Sequence, residues 1–286
     1  MLNSSAIRLY GVIAAVLVVT ATPAFAQFQP RRLDDPATGE KFRVEGSAGF
    51  WSPSADMTLS SVSLGIPGTT IDLVNDLGLT DKRFGELHLV LRPARKHKLR
   101  LQYIPIKFQK DGHQISREIT FNGQRYTLNA PVNWLFDWKA YRFGYEYDFI
   151  SRSRGFGGII LDVKYTDVYA SLHTPTPFQT EPEFVHPRGP VPALGGIARV
   201  YLVPNISITG ELTGFTIPDS ISKDLPFDGH YFDLDIYGTL NFTNNIGAQV
   251  GYRSFDVGVT VTEDNGATST GAFLLKGIYF GIVARY

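Results

Sequence analysis

The chain has 286 residues and no cysteine, so it can neither form disulfides nor carry a lipid on an N-terminal cysteine. Its 27 basic and 27 acidic residues cancel, which argues against nucleic acid as a partner, because that binding depends on basic contacts to phosphate. A mean hydropathy of −0.05 argues against a bundle of membrane-spanning helices. It is compatible with a β-barrel, in which only alternate residues face lipid.

The N-terminus has the pattern of a secretory signal peptide. Arg8 supplies positive charge, an apolar run covers residues 11–21, and Ala24-Phe25-Ala26 is typical of a cleavage site. We therefore expect cleavage between Ala26 and Gln27 and export across the inner membrane of a bacterium. The alternative, an N-terminal membrane anchor, is disfavoured because a spanning helix needs about 20 apolar residues.

The predicted organisation has three parts: a signal peptide at 1–26, a flexible periplasmic lead-in at 27–41, and a folded domain at 42–286. The lead-in is polar, contains two prolines at positions 30 and 36, and shows no hydrophobic periodicity. We expect such a segment to be mobile.

Alternation of apolar and polar residues predicts ten strands in the folded domain. They are placed at 42–51, 83–92, 98–108, 132–150, 156–172, 194–203, 206–217, 230–242, 246–262 and 271–286. The alternation is clearest in the fourth strand, where Tyr141 and Phe143 lie on one face and Arg142, between them, lies on the other. The parity slips near Ser254-Phe255, which predicts a β-bulge in the ninth strand. Eight or twelve strands remain open as alternatives.

The connections at one end of the predicted strands are short, and those at the other end are longer. Those after the second, fourth, sixth and eighth strands are about two to five residues long, and the others are longer. Short periplasmic turns and longer outer loops are typical of bacterial outer-membrane barrels. The sequence therefore predicts an all-β fold, a single closed antiparallel transmembrane β-barrel of about ten strands that ends on the aromatic Tyr286.

Aromatic residues on the lipid-facing parity are expected to mark the two membrane interfaces. Phe232 and Phe242 lie ten residues apart on one parity of the eighth strand, which corresponds to about 25 Å along a tilted barrel. The predicted aromatic girdle contains Tyr141, Phe149, Phe232, Phe242 and Tyr286.

Charged residues are concentrated on the other parity, where a barrel would place them in its lumen. Ten strands leave little free space inside, so we expect a lumen plugged by ion pairs. The alternative is a narrow charged pore. The predicted lumen network contains Glu86, Arg92, Arg100, Arg142, Glu146, Asp162, Lys164, Arg199, Glu211, Asp233, Asp235, Arg253, Lys276 and Arg285.

Two predicted loops carry further signals. Asn122-Gly123 between two short β-prone runs predicts a hairpin with a type I′ turn. Within 70–79, the spacing of the apolar residues predicts a loop folded over the barrel mouth with four side chains buried. These side chains are Ile71, Leu73, Leu77 and Leu79.

Candidate catalytic and metal sites are weak. His173 and His186 flank Glu181 and Glu183 in a proline-rich stretch, but their spacing matches no established metal motif and composition favours a solvated loop. Asp228, His230 and Asp233 lie near the outer end of the eighth strand, where an Asp-His pair could activate water. We predict no catalytic residue, no metal and no cofactor.

Three segments resemble the OmpA-like superfamily of small outer-membrane barrels. They are the TIDLVNDLGL segment at 70–79, ITFNG at 119–123 and YRFGYEY at 141–147. The resemblance implies a barrel fold and an outer-membrane location, and it implies no reaction. Asp72 and Asp76 in the first segment could instead bind Ca²⁺ through their oxygens.

The functional prediction is a non-catalytic integral outer-membrane barrel with an envelope-structural or surface-interaction role. Expected partners are outer-membrane lipid and, through the C-terminal strand, the barrel-assembly machinery. A narrow pore for ions or small solutes is the first alternative, and a rim-located protease or lipid-modifying enzyme is the second. A soluble lipocalin-like barrel would instead place the apolar parity inside.

Overall fold

The computed structural model describes residues 37–63, 65–175, 183–217, 227–262 and 266–286. The predicted signal peptide, its cleavage site at Ala26 and Gln27, and the lead-in up to residue 36 lie outside the described residues. Within the described ranges, no helix is long and apolar enough to cross a membrane.

The described chain is all β. Its strands, in chain order, are β1 Val44–Val62, β2 Ile71–Asp72, β3 Phe84–Ala94, β4 His97–Gln114, β5 Ile119–Phe121, β6 Gln124–Tyr126, β7 Pro131–Arg152, β8 Gly155–His173, β9 Glu183–Val185, β10 Arg188–Val203, β11 Ile206–Thr216, β12 Phe227–Asn241, β13 Ile246–Thr262 and β14 Thr268–Arg285.

Ten of these strands form one closed antiparallel barrel. Around the barrel the order is β1, β3, β4, β7, β8, β10, β11, β12, β13, β14, and β14 pairs back onto β1. That last pairing runs without interruption from Glu45 opposite Arg285 to Val62 opposite Thr268. Closure removes the exposed edges that an open sheet would present. The predicted ten-strand closed barrel is confirmed.

The two ends of the barrel differ as expected. The turns after β3, β7, β10 and β12 are short and lie at one end together with the chain termini of the barrel, and we call this the turn end. The longer connections lie at the opposite end, the loop end. Strand β1 reaches Val62, well into the stretch predicted as a loop, whereas β13 has the predicted bounds of 246–262.

The predicted bulge near Ser254-Phe255 is wrong. Strand β13 pairs with β12 and β14 without a register shift. Arg253 and Phe255 both point into the barrel and are buried, while Asp256 lies on the outside. The apparent slip in parity arises because the chemistry of the inward face changes from charged to aromatic at this level.

This change divides the barrel into two zones. In the zone nearer the turn end, the outward residues are apolar and exposed, and the inward residues are charged. Toward the loop end the pattern reverses. In β7, for example, Trp134, Phe136 and Trp138 are buried inside while Asp137 and Lys139 lie outside. Along such a strand, every second residue points into the barrel. These inward residues are charged near the turn end and apolar near the loop end.

A cap closes the loop end; we define it as residues 65–79 and 115–130. Ile71, Leu73, Leu77 and Leu79 are buried, as predicted. Trp134 Nε1 donates a hydrogen bond of 2.9 Å to the carbonyl oxygen of Leu77. This bond and the buried side chains attach the cap to the inner wall of the barrel.

The second part of the cap is the predicted hairpin. Strands β5 and β6 pair antiparallel, and the φ angles of Asn122 and Gly123 are 48° and 83°. Two successive positive φ angles define the predicted type I′ turn. Ile119, Phe121 and Tyr126 are buried beneath it.

Residues 37–41, the last part of the predicted lead-in, contact the turn end of the barrel. Thr38 is 1% exposed, its amide donates to Pro204 O over 2.6 Å, and Asn241 Nδ2 donates to Thr38 O over 2.8 Å. The amide of Gly39 donates to Asn244 Oδ1 over 3.2 Å. This short segment therefore lies in the turn-end mouth.

Candidate functional site: a lumen closed at two levels

The centre of the lumen holds a chain of ion pairs. Glu146 on β7 is buried and accepts hydrogen bonds from Lys98, over 2.6 Å, and from Arg100. Arg100 on β4 also binds Glu211 on β11 over 2.5 Å, and Arg142 binds the same carboxylate. Since β4 and β11 lie on different sides of the barrel, these contacts cross the lumen.

A second group of charges lies next to the first. Asp233 on β12 binds Arg253 over 2.6 Å and Lys164 over 3.0 Å. The same Arg253 reaches Glu86 on β3 over 3.3 Å, and Lys164 donates to the Thr213 hydroxyl over 2.8 Å. Buried charges persist when each is paired and hydrogen-bonded, and Asp233, Arg253 and Lys164 meet that condition.

The turn end of the lumen is closed by a third set of contacts. Arg285 binds Glu45 and donates to Asn241 Oδ1 over 2.7 Å. Glu40, from the lead-in, lies 3.5 Å from Arg199. Charges thus fill the lumen from its centre to its turn-end mouth.

Most of the predicted lumen residues are in the network. The buried, inward-facing members are Glu86, Arg142, Glu146, Asp162, Lys164, Arg199, Glu211, Asp233, Asp235, Arg253 and Arg285; Arg100 is also inward, with a side chain 13% exposed. Arg92 lies at the turn-end rim, where it donates to the carbonyl oxygens of Glu40 and Arg95.

One predicted member is wrong. Lys276 is exposed on the outside of β14, because it shares the parity of the outward Ile278 and Phe280. It lies beyond them toward the loop end, where outward positions are polar. Conversely, the prediction missed Lys98 and Glu45. Lys98 shares the parity of Arg100, so strict alternation along β4 could have found it.

A layer of aromatic side chains fills the lumen between the ion pairs and the cap. The ring centroids of Trp138 and Phe255 lie 5.0 Å apart, and those of Phe136 and Phe273 lie 5.2 Å apart. Trp51 from β1 packs edge-on against Phe255 at 6.5 Å. These rings are buried, so the lumen is closed a second time by an apolar layer.

The space left inside is small. Among the described residues, the cavity along the ion-pair network has a volume of about 40 Å³. Two others, beside the aromatic layer and beneath the cap, measure about 20 Å³ each. Because one water needs a cavity of roughly 10–15 Å³, these cavities have room for a few waters and for no larger solute.

The cap carries its own ion pair above the buried layer. Arg117 Nε donates to Asp76 Oδ1 over 2.7 Å, and Asp76 Oδ2 accepts from the amide of Asp72 over 2.8 Å. The hydrogen bond from Arg117 is the main cause that lowers the pKa of Asp76 below its usual range. Asp72 in turn accepts from the amides of Val74 and Asn75.

The histidines do not form the sites considered from the sequence. His230 lies on the outside, 3.5 Å from Asp256, whereas Asp233 faces the lumen, so Asp228, His230 and Asp233 are not one constellation. His186 Nε2 lies 2.7 Å from Asp167.

His173 contacts Asn133 over 3.4 Å. Glu181 lies outside the described residues, as does the side chain of Glu183. Within the described part of the chain, no group of three or more His, Cys, Asp or Glu could hold a metal.

The predicted girdle residues lie on the outside of the barrel. Tyr141 stacks on Tyr103 with centroids 4.8 Å apart and lies 6.4 Å from Tyr165, which gives three adjacent tyrosines at one level. The other predicted members are exposed: Phe149, Phe232, Phe242 and Tyr286. Their outward position agrees with an aromatic girdle and argues against the lipocalin-like alternative.

Comparisons with known proteins identify the fold. No family of proteins matches the sequence, and no curated protein does. Among solved structures, the chain is similar to the outer membrane protease OmpT from Escherichia coli, with a TM-score of 0.54, 8% identity, and coverage of 89% of this chain and 100% of OmpT.

Two other solved structures of outer-membrane proteins are less similar to this chain. The Pseudomonas putida toluene transporter TodX has a TM-score of 0.35 at 8% identity, over 89% of this chain and 93% of that one. OprG from Pseudomonas aeruginosa has 0.31 at 10% identity, over 88% of this chain and 100% of that one. The chain therefore has the fold of outer-membrane β-barrels, and the resemblance to the OmpA-like superfamily stays a prediction.

Proposed function

We propose that this protein is a non-catalytic outer-membrane barrel with a sealed lumen, which acts through its exposed surfaces in envelope structure or surface interaction. One observation carries the proposal: the lumen is filled by an ion-pair network and then by an aromatic layer, and the three cavities described above along it measure about 40, 20 and 20 Å³. A solute pore requires a continuous path, and two layers of opposite polarity interrupt it.

The outer wall supports the membrane location. Leu161, Leu212, Leu234 and Ile236 are exposed on the outside, around a lumen lined by charges. Apolar residues exposed around a whole barrel are explained by contact with acyl chains. In this arrangement the turn end lies in the periplasm and the cap faces the cell exterior.

The cap supports a role at the outer surface. It is a packed structure, with Ile115, Ile119 and Phe121 each at most 1% exposed. Such packing makes the cap a fixed platform rather than a gate, because opening it would expose these side chains to water.

Planar-bilayer recording of the refolded protein tests the proposal. We expect no steady current from bilayers that contain the folded barrel, while a general porin in the same lipid gives its usual current. Folding is checked on the same sample by the mobility shift between heated and unheated protein on a gel. A stepwise, persistent current from the folded sample would contradict the sealed lumen and favour the narrow charged pore.

A second candidate, a hydrolytic enzyme at the loop-end rim, is favoured by one specific contact. His186 Nε2 and Asp167 lie 2.7 Å apart outside the barrel, an arrangement that can orient a general base. Incubation with lipid A or peptide substrates tests this candidate. Turnover that is lost in His186→Ala and retained in His230→Ala would support an active site there, and absence of turnover in the wild type would exclude these substrates.

A further inference from the structure

The turn end carries a basic concavity that the sealed-lumen function does not use. Lys41, Arg43, Arg92, Arg95 and Arg152 line an open cup of about 950 Å³, and we call these five residues and the space between them the basic cup. The cup is formed by the segment before β1, the turn between β3 and β4, and the turn between β7 and β8. The chain as a whole has no net charge, so this concentration of cations is local.

Few anionic groups lie at the cup. Its one acidic side chain is that of Glu40, which lies 3.7 Å from Arg92 and 3.5 Å from Arg199, and the carboxyl oxygen of Tyr286 accepts hydrogen bonds from the amides of Arg43 and Val44. Lys41, Arg43, Arg95 and Arg152 are exposed. Within the described part of the chain, no carboxylate lies within ion-pair distance of these four. Like charges held close together repel one another, and a bound anion would relieve that repulsion.

The charge is confined to one side of the turn end. The turn after β3 contains Arg95 and Lys96, and Arg152 and Arg154 lie at the end of β7 and in the turn after it. The turns after β10 and β12, at 204–205 and 242–245, contain no charged residue. General solubility of the periplasmic face would not require this asymmetry.

The surroundings of the cup indicate what kind of anion fits. Tyr286, which lines the cup, is 87% exposed. Phe149 and Ile150, close to Arg152 at the end of β7, are exposed on the outer wall. The cations thus lie directly beside the aromatic border of the apolar wall, which in the proposed membrane orientation is the level of the phospholipid phosphates. Arginine binds phosphate oxygens in a bidentate manner.

We propose that the basic cup binds the phosphate headgroups of anionic phospholipids in the inner leaflet of the membrane. This inference rests on the proposed membrane location and goes beyond it, since it assigns a lipid class and a side of the barrel. The headgroup lies among Arg43, Arg95 and Arg152, and its acyl chains lie against the wall at Phe149.

Lipid enrichment around the reconstituted barrel tests the inference. The protein is placed in nanodiscs that contain zwitterionic phosphatidylcholine and a minor fraction of phosphatidylglycerol, and the lipids that remain bound after mild delipidation are quantified by mass spectrometry. We expect several-fold enrichment of phosphatidylglycerol with the wild type, and loss of that enrichment in the double variant Arg95→Gln/Arg152→Gln. The matched control Lys139→Gln/Lys276→Gln removes two exposed cations toward the loop end and keeps the enrichment.

Two other results would overturn the inference. Equal enrichment in the wild type and the cup variant would show that the cup does not select the lipid. Binding of inorganic phosphate to the wild type, with displacement of phosphatidylglycerol at millimolar phosphate, would identify a site for a soluble anion instead. Bilayer insertion is measured separately by protection from added protease, so a barrel that inserts without enrichment contradicts this inference alone.

Discussion

At the scale of single residues, Glu211 shows how a charge is kept inside this barrel. It is buried against Arg100 and Arg142, which come from two neighbouring strands. A carboxylate in that position would cost several kcal/mol without partners. The charges of the network therefore stabilise one another, and the loss of one charge leaves another unpaired.

Arg253 and Asp233 allow this dependency to be measured. We expect Arg253→Met to destabilise the barrel by about 3–5 kcal/mol, because the Asp233 carboxylate loses its closest cation inside the lumen. The double variant Arg253→Met/Asp233→Leu leaves Lys164 without its carboxylate partner, so we expect it to lose stability, but by less than the sum of the losses of Arg253→Met and Asp233→Leu. Urea unfolding in lipid vesicles, followed by tryptophan fluorescence, measures the three variants. A double variant that loses the full sum would contradict the argument.

Asp76 in the cap predicts a pH dependence. Its pKa is lowered in the folded state, first by the hydrogen bond from Arg117, so its stabilising contribution is fully present above the unfolded pKa of about 3.9. The contribution is lost as the pH falls through the lower folded value. Because the Arg117 side chain is 45% exposed, solvent screening keeps the effect small.

The indole N–H of Trp134, which is bonded to the carbonyl oxygen of Leu77 in the cap, supplies an NMR signal for this test. We expect the wild-type signal to shift or broaden below about pH 4 and the Asp76→Asn signal to lack that transition. An identical pH profile in both proteins would contradict the assignment. Trp134→Phe identifies the signal.

At the scale of elements, the strands keep one inward parity while the chemistry of that parity changes. In β7 the inward residues run from Trp134 through Trp138 to Arg142 and Glu146, all buried. Alternation of residue types therefore locates the strand in the sequence. The rule that apolar residues face outward, however, predicts the orientation of the side chains correctly along only part of the strand. In the proposed membrane orientation, acyl chains surround the zone whose outer face is apolar, and water surrounds the zone whose outer face is polar.

The hairpin of the cap depends on its turn. Gly123 has a φ of 83°, and a Cβ there would find its nearest neighbour, Ser63 O, at 3.7 Å. Space is therefore available, and the cost of substitution comes from the backbone alone. We expect Gly123→Val to destabilise the hairpin by about 1–2 kcal/mol and Gly123→Asn to cost less, because asparagine tolerates positive φ.

Limited proteolysis of intact cells or vesicles, with cleavage mapped within 115–130, compares these two variants with the wild type. Faster cleavage of Gly123→Val than of Gly123→Asn is the expected order. Equal protection of all three would show that packing of the cap, rather than its turn, maintains the hairpin.

At the scale of the whole molecule, apolar side chains cover the outer wall in the zone nearer the turn end, and charged side chains line the lumen at the same level. Leu234 lies on the outside of β12, between the inward Asp233 and Asp235. We expect Leu234→Arg to cost about 2–4 kcal/mol of folding free energy in a bilayer, as a charge facing the acyl chains. Leu234→Ala is the control for lost apolar area. Folding titrations into vesicles measure both, and an arginine variant as stable as the alanine variant would contradict the membrane orientation.

The sequence by itself predicted a closed barrel of about ten strands, with eight or twelve left open, together with the outward aromatic residues and most inward charges, because period-2 alternation and turn residues are local properties of the chain. It also determined the Asn122-Gly123 turn and the burial of the 70–79 segment. Only the tertiary structure decided which charges pair, since Arg100 and Glu211 are 111 residues apart.

The tertiary structure also decided the aromatic layer, the outward position of Lys276 and the gathering of the basic cup from three separate segments. The physical reason is the same in each case. Alternation specifies which side of a strand a residue takes. Its partner and its level along the barrel depend on barrel closure and strand stagger, which bring distant segments together.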